Sequence, residues 1–564
     1  MSLVPPQLSL DANHLSPTSL EPPTPKAWAE PDRGGPSNPY AAYAQTNVNH
    51  AMNRLFGSGA RPVPDEDWAY ERVDNASDCR LLWWLYGAQP PAPREEAPLL
   101  VWLEGGPGGS GWEGDLGQVG PLDAAGRARP ATWAARANLL FVDSPAGAGF
   151  SFCGRAAGLR NSSAQVVADL RAVLAAAYAR HPGLRGCPLW VVGQGWGAQT
   201  AVRLATALAR EADAAAPPPP PTPTASPPSA PPAAALPRPV GVALGSPWLL
   251  PDAAVTTFGR ALQARALLDG AEAQEVDTLG MQARGAARLG QRARAAGLVD
   301  AQARLVANLS GGAELRAVAP AAGAAAWGGS GVAAEGWVRR KLRVVPLAVR
   351  WGAQAAAARA ALRDELMGEC VAPLDALLQA GTGFRALVYA GTRDVAANPL
   401  AFEATLRALR SGEGERLLRA RKRAHADAAG RVVGFSKRSG GLQAFWLLDA
   451  GHAPLADSPT MAAALLDAVL AASSGGGAGA FGSKEAAEEP PTLEEAAADA
   501  ADSYDLEQDG ARLGEADETL DAYRSRRSDL ASSWWIERIE RGDEAASNEI
   551  MSLEGKGHAH AAGS

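Results

Sequence analysis

The chain has 564 residues, 47% of them hydrophobic, and a formal net charge of −8. That is enough apolar material for one large core or two smaller ones. The acidic balance supplies no basic stripe of the kind nucleic-acid binding needs, and no apolar run is long enough to span a bilayer.

Residues 1–60 are rich in proline and serine, with no basic segment leading into an apolar one. They read as a disordered leader without a signal peptide. Ordered sequence is predicted from about Asp67 and Trp68, within a domain spanning 61–472. Short apolar runs, each ending at a turn, follow at Leu99–Leu103, Asn138–Val142, Leu189–Val192, Val240–Leu244, Ala386–Tyr389 and Ala444–Leu448. Continuous apolar runs of this length suit strands buried on both faces of a largely parallel sheet. Helix-favouring segments separate several of them, as at Ala164–Ala179 and Gln199–Arg210. The alternation predicts a doubly wound α/β sheet. Residues 213–239 form a proline-rich insertion, suited to extended surface chain. Residues 256–359 break the alternation and read as a helical cap, with helices at Ala261–Leu279 and Met281–Leu298. The basic run Arg419–Arg423 reads as a solvated loop, and 473–564 as a disordered acidic tail with a short helix around Trp534–Arg541. Four cysteines (Cys79, Cys153, Cys187 and Cys370) allow three pairings, and none lies in a C-x-x-C pair. No metal or cofactor is predicted. Sequons at Asn75, Asn161 and Asn308 would suit a secreted protein.

Open α/β sheets bind ligands at the carboxyl ends of their strands. Distinctive loops sit at those ends: Glu104-Gly-Gly-Pro-Gly-Gly-Ser110, Asp143-Ser-Pro-Ala-Gly-Ala-Gly-Phe150, Gly193-Gln-Gly-Trp-Gly197, Gly391-Thr-Arg-Asp394 and Ala450-Gly-His452. Of seven histidines, His14, His50, His558 and His560 fall in the leader or tail. His181 precedes a proline on a surface turn, and His425 sits in a charged loop. Only His452 directly follows a buried strand. A histidine there could be merely structural, but Asp394 at an equivalent strand end points to a His–carboxylate pair, which a catalytic triad needs. Gly105 and Gly106 suit close backbone approach to an oxyanion, or simply a tight turn.

These motifs, in this order, resemble the serine carboxypeptidase family, including its retinoid-inducible branch, over about Asp67–Ala472. The family's W-L-x-G-G-P-G matches Trp102–Gly108, and its N-L-L-F-V-D-x-P-x-G-x-G-F-S matches Asn138–Ser151. The resemblance implies an α/β-hydrolase fold with a helical cap, and an activity that releases C-terminal residues from peptides. It assigns Asp394 and His452 to the triad, and Gly106 and Trp196 to the oxyanion hole. It also places Glu104, Gly105, Gln118 and Gln194 where the family binds substrate. Relatives travel the secretory route to vacuole, lysosome or exterior, although no targeting segment is visible here.

Three positions depart from the family. Its elbow reads G-E-S-Y-G-G or S-E-S-Y-G-G, whereas this chain has Gly193-Gln194-Gly195-Trp196-Gly197-Ala198. Gly195 therefore stands at the nucleophile position and cannot form an acyl-enzyme. Gln194 and Gln118 replace two glutamates that help hold the substrate's terminal carboxylate, and Glu104 replaces an asparagine or glutamine. A carboxylate at 104 would repel the peptide's own terminus. Ser110 and Ser144 lie on strand-end loops but not on an elbow. The expectation is an impaired homologue that binds peptide C-termini or a protein partner. Alternatives are an active hydrolase using another nucleophile or water, and a lyase using His452 as base.

Overall fold

The computed structural model describes residues 65–215, 235–312 and 329–474. The leader, the polyproline stretch and the acidic tail with its predicted helix lie outside them. Eleven strands form one sheet: β1 (Glu66–Asp74), β2 (Cys79–Tyr86), β3 (Leu99–Leu103), β4 (Asn138–Val142), β5 (Phe152–Cys153), β6 (Leu189–Gln194), β7 (Pro239–Gly245), β8 (Arg385–Gly391), β9 (Arg423–Ala426), β10 (Val432–Ser439) and β11 (Leu442–Leu447). Their order is β1-β2-β4-β3-β6-β7-β8-β11-β10-β9, with β5 beside β2. Neighbours from β4 to β11 run parallel, and the flanking pairs run antiparallel. This is the mostly parallel, doubly wound α/β-hydrolase sheet.

The central strands are largely apolar along their length because both faces are covered. Leu99, Val101 and Leu103 enter one core with Val191, Leu244 and Val388. Leu100 and Trp102 enter the other with Val192, Ala243 and Leu387. Helices Ser163–Arg180 and Gly197–Ala215 cover the first face, and Pro459–Ser473 covers the second.

Five strands, β1, β2, β5, β9 and β10, are not among those predicted. β2 is apolar from Leu81 to Tyr86, while its partner β1 is half-buried and polar, as an edge strand can be. β9 and β10 form a charged hairpin at the opposite edge. His425, predicted to lie in a loop, is in β9 with its Nε2 2.9 Å from Ser436 Oγ. His181 is not a free surface residue either, since its Nε2 is 2.8 Å from Asp67 Oδ2.

Residues 256–359 contribute to both layers. Helices Phe258–Gln263, Gly270–Arg288 and Arg292–Leu309 pack on the first core, whereas Gly329–Leu342 places Ala334, Val338 and Leu342 in the second. The predicted helix Ala261–Leu279 is interrupted at Asp269. There a capping box with Glu272 starts a new helix. The proline-rich insertion is likewise bounded more tightly than predicted, because helix Gly197–Ala215 runs past 213 and β7 begins at Pro239.

Cys79 and Cys153 form a disulfide between β2 and β5, leaving Cys187 and Cys370 buried as thiols. The bridge closes a loop of sequence separation 74. Chain-entropy arguments give such a cross-link about 4 kcal/mol. Cys79→Ser with Cys153→Ser is therefore expected to lower the unfolding free energy by up to that amount in urea titrations. An unchanged midpoint would show that the pair is not formed.

Candidate active site

Parallel register brings several strand ends to one level. Leu103 pairs with Gly193, and Gly245 pairs with both Gln194 and Tyr389. The chain turns sharply after β6, and Gly195 takes φ +57° before helix Gly197–Ala215 begins. That φ is costly for most side chains and easy for glycine. The flanking glycines are dictated by contact: a Cβ at Gly193 would lie 2.4 Å from the Gly197 carbonyl oxygen, and one at Gly197 would lie 2.4 Å from that of Leu103. The elbow is tied to the neighbouring strand end, with Gly195 N–H donating to the Gly245 carbonyl at 2.9 Å and Trp248 N–H donating to the Gly195 carbonyl at 3.1 Å.

His452 and Asp394 meet at this bend. His452 Nδ1 is 2.8 Å from Asp394 Oδ2; the carboxylate is fully buried, and the imidazole is 7% exposed. Asp394 Oδ1 also accepts from Ala397 N–H at 3.1 Å. This bond to Nδ1 aims Nε2 at the elbow: a Cβ built on Gly195 would lie 2.9 Å from His452 Nε2. The imidazole thus stands slightly inside the space that a side chain at 195 would need. The His452 carbonyl is held in turn by Gln194 Nε2 and by Ser246 Oγ, the latter at 3.1 Å. Ser246, Trp248 and Arg265, which donates to the Thr392 carbonyl two residues before Asp394, were not singled out from the sequence. All three come from segments without a recognisable motif, and only the sheet's register brings them here.

The glycine loop after β3 lies directly on the elbow. A Cβ at Gly105 would sit 2.6 Å from the Gln194 carbonyl oxygen and 2.9 Å from Trp196 N. Among the described residues, neither the Gly106 amide nor the Trp196 amide has a hydrogen-bond partner. Helix Ala355–Ala361 also meets this loop, and its Arg359 Nη1 donates to the Gly106 carbonyl at 2.9 Å.

The remaining predicted residues divide. Glu104 is buried next to the elbow, accepting from Trp102 Nε1 at 3.1 Å and from Gly105 N–H at 3.2 Å. Gln194 is fully buried, its amide nitrogen engaged by His452 and its Oε1 without a partner among the described residues. Gln118 lies on a π-helical turn, Asp115–Val119, packed against Pro454–Asp457 just beyond His452. Both its amide atoms are buried without hydrogen bonds among the described residues, so it bonds to neither Gln194 nor Glu104. Of the other serines, Ser110 donates its hydroxyl to Asp143 and accepts from Trp112 N–H at 3.1 Å. It belongs to a structural clamp. Ser144 Oγ is buried and has no partner among the described residues. No group of acidic, histidine or cysteine side chains suited to a metal occurs among the described residues.

Asp143 fixes the second glycine-rich loop by accepting from Phe150 N–H at 2.8 Å and from Ser110. Burial raises its pKa from 3.8 to about 7, with its hydrogen bonds opposing that shift. A raised folded-state pKa favours folding most when the group is protonated, so this contribution is full below about pH 4 and is lost as pH rises towards 7. Thermal unfolding of Asp143→Asn between pH 4 and 8 should show a shallower decline with pH than the parent chain. Identical slopes would show that Asp143 does not titrate in this window.

The serine carboxypeptidase family matches residues 61–220 and 333–472, more than half of the chain. The human retinoid-inducible serine carboxypeptidase is 25% identical over 451 residues, covering 74% of this chain and 95% of that protein. Serine carboxypeptidase-like 51 of Arabidopsis thaliana is 25% identical over 446 residues, covering 72% and 92%. Among solved structures, the prohormone-processing carboxypeptidase Kex1(Δ)p from Saccharomyces cerevisiae superimposes with a TM-score of 0.56 at 14% identity, covering 72% of this chain and 91% of that one. A buried His–carboxylate pair facing a strand-to-helix bend, on this sheet and with these relatives, makes the chain a member of the serine carboxypeptidase family.

Proposed function

We propose that this protein is a serine carboxypeptidase homologue that has lost efficient hydrolysis and uses its retained cleft to bind peptide C-termini or a protein partner. The observation that carries the proposal is Gly195 at the apex of the bend, opposite His452. In serine-type acyl transfer, a hydroxyl at the apex attacks the carbonyl, the imidazole takes its proton, and the carboxylate steadies the imidazolium. Here the second and third parts are in place and the first is missing. Removing a triad nucleophile costs on the order of 10⁴- to 10⁶-fold in turnover, leaving what the oxyanion hole and binding supply.

Water acting in place of the hydroxyl is disfavoured by the same geometry. A Cβ at 195 would already stand 2.9 Å from Nε2, so the glycine leaves little added room between base and elbow. Ser110 is committed to Asp143, which argues against a relocated nucleophile. The intact pair His452–Asp394 supports one other reading, a lyase in which His452 removes a proton without forming an acyl intermediate.

Fluorophosphonate labelling separates these readings. The parent chain should not label. Gly195→Ser should label once the imidazole moves back by a few tenths of an ångström, and labelling should vanish in Gly195→Ser with His452→Ala. Stoichiometric labelling of a serine in the parent chain would overturn the proposal. So would release of C-terminal residues from blocked dipeptides by the parent chain that is abolished by His452→Ala.

A further inference from the structure

One loop outside the cleft presents an unusual surface. The chain leaves helix Gly329–Leu342 through Arg343 at φ +55°, a left-handed value that glycine usually supplies at a helix end. The next residues run Val344-Val-Pro-Leu-Ala-Val-Arg350. Val345 is buried in the second core and Val349 packs against it, whereas Val344 and Leu347 are 41% and 87% exposed. Among the described residues no other large apolar side chain is as exposed as Leu347. The loop is held from beneath. Arg339 donates to the Pro346 carbonyl at 3.0 Å and to the Val349 carbonyl at 2.5 Å, and Trp68 Nε1 donates to the Leu342 carbonyl at 2.9 Å. Trp351, directly after the loop, packs with its ring centroid 4.6 Å from that of Trp112.

Basic side chains flank this tip. Residues 336–350 include Arg339, Arg340, Lys341, Arg343 and Arg350 and no acidic residue. Arg339 pairs with Glu335 at 3.2 Å and Lys341 with Glu66 at 2.5 Å. Arg340, Arg343 and Arg350 are exposed and make no ion pair among the described residues. A lone exposed leucine is ordinary on a protein surface. Here the leucine projects from an anchored loop between unpaired guanidiniums, and one of these, Arg343, occupies a backbone position that glycine adopts at less cost. A projecting tip offers a folded partner no pocket to fill, whereas a bilayer needs no matching shape. Its interface takes apolar side chains at the acyl boundary and guanidiniums at the phosphates. The whole chain is net negative, so the attraction is local, acting within a Debye length of about 10 Å.

We propose that the loop 343–350 docks this protein on an anionic phospholipid surface. Leu347 and Val344 enter the boundary between headgroups and acyl chains, and Arg340, Arg343 and Arg350 bind lipid phosphates. The chain continues from this loop towards the cleft: Gly352 N–H donates to the Gly149 carbonyl at 2.8 Å, and Arg359 donates to the Gly106 carbonyl. The lipid contact and the glycine loop beside the elbow are thus joined by one short stretch of chain. The inference goes beyond the peptide-binding reading and does not depend on what the cleft holds. No bond is made or broken.

The test is co-sedimentation of the full chain with vesicles of phosphatidylcholine alone or of phosphatidylcholine mixed with phosphatidylserine. The parent chain should sediment with the mixed vesicles only, and high salt should release it. Leu347→Ser should weaken binding about ten-fold or more, and Arg340→Gln and Arg350→Gln about five-fold each. These side chains are exposed, so the variants should unfold as the parent does. Arg343→Gly should weaken binding about five-fold while raising the unfolding midpoint, because it removes the charge and the backbone cost together. Leu400→Ser, at a 49% exposed position on helix Pro399–Arg407, should change nothing. Equal binding to both kinds of vesicle, or an equal loss in Leu400→Ser, overturns the inference as non-specific adhesion. Absence of sedimentation in a chain with a normal thermal unfolding profile overturns it outright. Retention on a polyglutamate resin without vesicle binding overturns it in favour of an acidic protein partner.

Discussion

Everything at the active end of this protein depends on backbone approaching backbone without side chains between. Gly105 lies against the Gln194 carbonyl and Trp196 amide, and Gly193 and Gly197 pack onto each other and onto the end of β3. These contacts hold the elbow so closely that residue 195 has one direction in which to project, towards His452 Nε2. The imidazole is held on the opposite side by Asp394 through Nδ1 and by the carbonyl contacts of Gln194 and Ser246. The frame does not depend on a side chain at 195, because the close approaches that stabilise it involve other residues. Glycine at 195 also satisfies the φ of +57° without the cost that a side chain bears there.

The residues of the site are separable from those that hold the fold. Gly195, Gln194, Gln118 and Glu104 stand outside both hydrophobic cores, which are assembled from strand interiors below the loops. What they set is the inventory of donors and acceptors. Gln194 now braces the histidine loop through its nitrogen, a bond that an ionised glutamate could not donate. The amide at 194 thus ties β6 to the loop after β11.

Much of this was legible in the amino-acid order. The six predicted strands fall on β3, β4, β6, β7, β8 and β11, because a strand buried on both faces carries a continuous apolar run. His452 and Asp394 stood out by position, each just past such a strand, and the glycines at 193 and 197 framed the bend at Gly195. The edge strands were not legible. β1 and β9 expose polar residues that an interior strand would not carry, and the basic run at Arg419–Arg423 looks the same in a loop as at a sheet edge. The helix boundary at Asp269 was missed because a capping box is a local hydrogen-bond motif hidden inside a longer helix-favouring stretch.

The sequence by itself determined the family, the sheet-forming runs and the glycine at 195, since each is a property of residue type at a position along the chain. Only the tertiary structure decided which cysteines pair, that Ser110 belongs to Asp143, and that Gln194 reaches the His452 carbonyl. Those relations join segments tens to hundreds of residues apart, and their distances are set by strand register and core packing, which no local pattern encodes.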